Sequence, residues 1–120
     1  MPSRALRGPR GYVPELGDVV WLAFSPQAGH EQAGHRPALV LSPAQYNGKT
    51  GLMLCCPMSG TVRGYPFEVQ VELEGQACVV LADQLKSLDW ATRRAVKKGA
   101  VAESVLLEVR GRIKALLGIR

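Results

Sequence analysis

Tyr65-Pro66-Phe67-Glu68-Val69-Gln70-Val71, the turn Glu72 to Gly75, and Ala77-Cys78-Val79-Val80-Leu81-Ala82 form the stretch whose reading decides the fold. Phe67 to Val71 alternates apolar and polar residues with period two, which predicts a strand buried on one face. The glycine-containing turn returns the chain into a second strand, Ala77 to Ala82. Upstream, Val19-Val20-Trp21-Leu22-Ala23-Phe24 is β-branched and aromatic and stops at Ser25-Pro26, a further strand. Pro37 opens the run Ala38 to Leu41; proline is tolerated at a strand's first residue. Tyr46 to Gly51 reads as turn chemistry and Leu52 to Cys56 as another strand. No helical pattern separates these strands, so βαβ units are excluded. Beyond them Val105, Leu106, Val109, Ile113, Leu116 and Leu117 recur at steps of three and four, the apolar stripe of a helix. The fold predicted is mainly β with α: a small SH3-like barrel of about five to seven strands and a C-terminal helix.

At 120 residues the chain has the length of one domain. Residues 1–12, with Arg4, Arg7 and Arg10, read as a mobile basic arm, and 13–120 as a single domain. The longest apolar runs fall far short of the ~20 residues of a membrane helix, and no apolar segment follows the basic start as in a secretory signal. A cytoplasmic protein is expected. Lys and Arg outnumber Asp and Glu by 15 to 10, a net charge of +5 that favours a polyanionic partner, nucleic acid or an acidic protein segment. Cys55, Cys56 and Cys78 show neither C-x-x-C nor regular spacing, so buried free thiols are expected and no zinc site.

Two loops hold the chemistry. His30, Glu31, Gln32, His35 and Arg36 lie in the glycine-containing connection before Pro37, and Ser59, Thr61 and Arg63 lie in the connection 57–64. Each of these residues taken singly is ordinary for a surface loop; together they suit one reaction. RNA carries its own nucleophile, the 2′-hydroxyl, so an enzyme needs no metal or activated water. It must align that hydroxyl, neutralise the charge growing on the phosphoryl oxygens and move two protons. Arginine's fork of donors matches phosphate, a hydroxyl adds a hydrogen bond, and histidine or a carboxylate moves protons near neutral pH. No metal ligand set and no cofactor is called for.

Gly17-Asp18-Val19-Val20-Trp21, the block Glu31-Gln32-Ala33-Gly34-His35-Arg36-Pro37-Ala38, Tyr46-Asn47, Gly64-Tyr65-Pro66-Phe67-Glu68-Val69, Ala82-Asp83-Gln84 and Lys97-Lys98-Gly99 stand in the order and spacing of one family. Over residues 12 to 118 the chain resembles the MazF branch of the MazF/PemK toxins. The resemblance implies the toxin of a type II toxin–antitoxin pair, a sequence-specific, metal-independent endoribonuclease that cuts single-stranded RNA. Its products would carry 2′,3′-cyclic phosphate and 5′-hydroxyl ends, and the outcome would be arrest of translation and growth. It further implies a homodimer and a MazE-like antitoxin with an acidic C-terminal tail.

By position the resemblance makes Arg36 the essential arginine, Glu31 the acidic residue that handles substrate, and Ser59 the hydroxyl where the family has threonine. Gly60 takes the next position, commonly also threonine. His35 and Asp83 are assigned to catalytic support. Phe24, Gln32, Arg63, Tyr65 and Gln84 are assigned to RNA contact, by stacking, amide hydrogen bonds and phosphate pairing. Two rivals stand beside this reading. One is a CcdB-like toxin that binds gyrase without catalysis, and the other is a catalytically weak RNA-binding relative.

Overall fold

The computed structural model describes residues 11–23 and 35–120. Seven strands and two helices follow in order: β1 (Asp18–Ala23), β2 (His35–Val40), α1 (Ala44–Thr50), β3 (Leu52–Ser59), β4 (Glu68–Leu73), β5 (Gln76–Leu81), β6 (Lys86–Asp89), β7 (Val96–Ala100) and α2 (Glu103–Leu117). All pairings are antiparallel, in the order β4-β5-β3-β2-β1-β7, with β6 also on β3. The sheet curls because β3 changes partners. Its first half pairs with β6 from Leu52 to Cys55, and its last two residues pair with β5 at Met58↔Val80 and Ser59↔Val79.

Both faces of the central strands are buried, which is why β1 and β2 read as continuous apolar runs instead of alternating ones. Val19, Leu39, Cys56, Met58, Val69 and Val80 pack on one face with Val109 of α2. Val20, Leu22, Ala38, Val40, Met53 and Cys55 pack on the other around Trp90. Adjacent Cys55 and Cys56 thus enter different clusters, as strand geometry demands.

The helical stripe is buried for only part of its length. Leu106 and Val109 are covered and Val105 and Ile113 pack beside them, while Leu116 and Leu117 remain open to solvent. Among the described residues no helix is long and apolar enough to cross a membrane.

The segment Tyr46–Gly51, read from sequence as a turn, is instead the end of helix α1. Its Asn-Gly pair suggests a turn, but the Asn47 side chain is fully buried and ties three segments together. Its amide donates to Pro14 O at 2.8 Å and Ser42 O at 2.9 Å, and its oxygen accepts from Ser42 Oγ at 2.6 Å. Trp90 Nε1 donates to the Asn47 carbonyl at 2.9 Å. Gly51, at φ 76°, then ends the helix in the left-handed region.

Two further strands correct the sequence reading. β3 runs to Ser59 instead of ending at Cys56, so Ser59 closes a strand and does not sit within a loop. The segment carrying Lys97 and Lys98 is the edge strand β7, whose exposed, charged composition hides it from a search for apolar runs.

Tyr12, which the sequence reading places at the end of the arm, donates to the buried Asp18 carboxylate at 2.6 Å. Burial and that carboxylate push the Tyr12 phenol up. Residues 1–10 of the arm lie outside the described part.

All three cysteines are free and buried. Burial pushes the Cys55 and Cys56 thiols up to about 12 from 9.0, and raises that of Cys78 as well. Only the thiolate reacts, so native protein should resist iodoacetamide at pH 8.5 and label rapidly once unfolded. The folded thiols keep their protons where unfolded ones lose them. Their contribution to stability is therefore complete below about pH 9 and lost between about 9 and 12, which chemical denaturation across that window would show. Rapid native labelling would contradict the burial.

Candidate active site

The rim formed by the start of β2 and the end of β3 holds the residues best suited to chemistry. Arg36 is the second residue of β2, exposed, with its backbone opposite Leu22 of β1. Ser59 is the last residue of β3 and half-buried. The two strands pair at Val40↔Cys55, Leu39↔Cys56 and Ala38↔Pro57. Continuing that register two residues past its last pair sets Arg36 level with Ser59. A guanidinium and a hydroxyl from neighbouring strands thereby fall just beyond one end of the β2–β3 ladder. The Ser59 hydroxyl oxygen accepts from the Thr61 N–H at 3.0 Å, which orients it as the chain leaves the strand.

His35, beside Arg36, is held by an aromatic neighbour. Its ring stacks on Trp21 with centroids 6.4 Å apart and 30° between the planes. Lys98 Nζ lies 5.5 Å from the centre of the Trp21 ring and pairs with Glu74 at 3.2 Å. Three strands thus contribute a row Lys98–Trp21–His35. Next to it opens a cavity of about 230 Å³ whose lining includes Pro37, Met58, Ser59, Gly60, Cys78 and Lys98. Sequence reasoning missed Trp21 and Lys98 as site residues. Trp21 is 41% exposed between buried Val20 and Leu22, which only the structure shows.

Arg63 and Tyr65 lie in the connection between β3 and β4, both exposed. The Tyr65 ring leans on Phe67, with centroids 5.3 Å apart. Asp83 and Gln84 occupy a single 3-10 turn after β5 and are exposed. That turn sits beside Cys56, whose Sγ is 3.8 Å from Ala82 O. Cys56 is three residues back from Ser59, about 10 Å at the strand rise. By strand alternation Arg36 and Ser59 stand on the face of Leu22 and Ala38, whereas His35 stands on the opposite face with Trp21 and Pro37; Asp83 and Gln84 lie further along β3. Phe24, Glu31 and Gln32 lie outside the described residues.

Chemically, the rim offers a permanently charged donor fork, a hydroxyl, an imidazole held by stacking and an ammonium near an open cavity. A guanidinium and a hydroxyl together suit contact with a phosphodiester. Comparison with known proteins points the same way. The family model for "PemK-like, MazF-like toxin of type II toxin-antitoxin system" matches residues 15–117. The chain is 50% identical over 107 residues to the endoribonuclease toxin MazF of Escherichia coli K12, covering 89% of this chain and 96% of that protein. It is 33% identical over 108 residues to the E. coli endoribonuclease PemK, covering 86% and 81%. Among solved structures, MazF from Deinococcus radiodurans superposes with a TM-score of 0.80 at 57% identity, over 90% of this chain and 99% of that one. A D. radiodurans MazE–MazF complex matches equally well in fold, with a TM-score of 0.80 at 50% identity over 91% and 99%.

Proposed function

The chain belongs to the PemK-like, MazF-like toxins of type II toxin–antitoxin systems, and on that premise we propose that it cuts single-stranded RNA by attack of the sugar 2′-hydroxyl at the Arg36–Ser59 rim. It is an endoribonuclease toxin with a MazE-like antitoxin as its partner. Relatives named as endoribonucleases at this identity decide against the gyrase-binding alternative.

The 2′-oxygen bonds to phosphorus as its proton departs, the P–O5′ bond breaks, and the leaving oxygen takes up a proton. A 2′,3′-cyclic phosphate and a 5′-hydroxyl result. Arg36 stabilises the phosphoryl oxygens as charge accumulates, a role that suits a permanently charged donor fork better than that of a base. Ser59 donates to the same oxygens. His35 or Glu31 moves the protons. Arg63, Tyr65, Phe24, Gln32 and Gln84 contact the RNA, and Asp83 supports the site. The observation that supports the roles is the β2–β3 register, which ends at Ala38↔Pro57 and, continued by two residues, would set Arg36 level with Ser59.

The protein works in the cytoplasm, where RNA and antitoxin meet, as a homodimer of single-domain chains preceded by the basic arm. Pairing would bring a second copy's surface to the open Leu116 and Leu117 side chains. An antitoxin with an acidic tail suits the charge of +5. The test is incubation of purified protein with a single-stranded RNA in EDTA, with mapping of the ends. Cuts at a recurring short motif, with cyclic phosphate upstream and 5′-hydroxyl downstream, are expected. Cutting that needs added metal, or that leaves 5′-phosphate ends, would refute the mechanism.

A further inference from the structure

Gly60 to Pro66 are all exposed, so burial does not hold the connection that leaves Ser59 and carries Arg63 and Tyr65. A buried carboxylate helps to do so. Glu68, only 7% exposed, opens β4 opposite Leu81. Its own N–H donates to Tyr65 O at 3.1 Å, and the Ala82 N–H donates to Phe67 O at 3.2 Å, so its backbone is fixed on both sides. Its Oε1 accepts from the Arg63 N–H at 3.1 Å and from the Gly64 N–H at 2.9 Å. Two consecutive N–H groups converge on one oxygen, a geometry that matches negative charge, and Gly64 at φ 80° turns the chain that follows them toward β4. A buried carboxylate is costly without such donors, so the contact binds both ways: the loop satisfies the charge and the charge holds the loop. At the far end Arg112 of α2 donates to the Pro66 carbonyl.

We infer that Glu68 is a positioning residue for RNA binding: its carboxylate fixes the backbone at Arg63 and Gly64, and so the direction in which the Arg63 side chain meets the phosphate backbone. The RNA part of this rests on the function proposed above; the clamp itself does not. Trypsin cuts after arginine, and the Arg63–Gly64 bond lies between the two N–H groups that Glu68 holds. Glu68→Ala should be nicked there at least ten times faster than the unaltered chain. Glu68→Gln, whose amide oxygen still accepts both bonds, should stay near the unaltered rate.

With a single-stranded oligonucleotide made uncleavable by deoxy substitution, Glu68→Ala should weaken binding. It should also lower the slope of log affinity against log salt by about one, the signature of one lost phosphate contact. Combined with Arg63→Ala, it should add nothing further, since both remove one interaction. An unchanged nicking rate, or losses that simply add, would overturn the inference. If Glu68→Ala does not fold, Glu68→Asp, one methylene short of the loop, serves the same comparisons. Arg63→Ala binding like the unaltered chain would remove Arg63 from the RNA contacts, and with it the role inferred for Glu68 in binding. The nicking rate would still decide the clamp.

Discussion

Arg36→Ala should cleave RNA two to three orders of magnitude more slowly, with a thermal midpoint within a degree or two of the unaltered protein. The magnitude follows from what an oriented donor gives a developing oxyanion, about 3–4 kcal/mol when one is removed. The preserved stability follows from position. Arg36 is exposed, and its strand is held by the backbone ladder to Leu22 on β1 and by the buried Ala38, Leu39 and Val40 that follow. Arg36→Lys should recover part of the rate, because an ammonium keeps the charge but cannot form two parallel bonds to a phosphoryl group. Ser59→Ala should cost less, roughly ten- to a hundredfold, for loss of one hydrogen bond to a charged oxygen, about 1.5–3 kcal/mol. Single-turnover cleavage with circular dichroism melting measures all three. A folded Arg36→Ala protein within threefold of the normal rate would remove Arg36 from the transition state, and the rim with it.

The parts of this arrangement that sequence shows are those written in local chemistry. Val69-Gln70-Val71 alternates because β4 there has a covered and an open face, while Glu68 before it is buried as well, and the spacing of Val105, Leu106 and Val109 marks the side of α2 that meets the sheet. What escaped was set by pairing across the sheet. Val96-Lys97-Lys98-Gly99-Ala100 forms a strand because β1 offers a free edge, a fact recorded nowhere in those five residues. Asn47-Gly48 carries turn chemistry, but Pro14, Ser42 and Trp90 recruit its polar groups and a helix results. The site divides the same way. Arg36 and Ser59 were legible as residue types suited to phosphate, yet their alignment depends on the β2–β3 register. Trp21 beneath His35, and Glu68 beneath Arg63, are visible only in three dimensions, since each acts through a neighbour distant in sequence.

One atom of the substrate decides the chemistry more sharply than any side chain. Replace by hydrogen the 2′-hydroxyl of the nucleotide just before the cleaved phosphate, and scission should stop, with residual rate lowered by at least about 10⁴. Oriented intramolecular nucleophiles reach effective molarities of roughly 10⁵–10⁸ M, and that advantage disappears with the oxygen. Water cannot replace it cheaply. It would have to be captured and positioned in line before it could be deprotonated, whereas the sugar already holds the 2′-hydroxyl beside the phosphorus. Binding should change little, because the loss of one hydroxyl leaves the phosphates that Arg36 and Arg63 address and the base faces open to stacking. The deoxy-substituted oligonucleotide should therefore act as a competitive inhibitor with Ki within a few-fold of the Kd of its all-ribose parent. Deoxy substitution one nucleotide further along should leave the rate largely intact, which separates loss of the nucleophile from a change in sugar shape. Scission of the substituted oligonucleotide, releasing an ordinary terminal phosphate in place of a cyclic one, would show that water attacks and that the rim binds RNA for a different reaction.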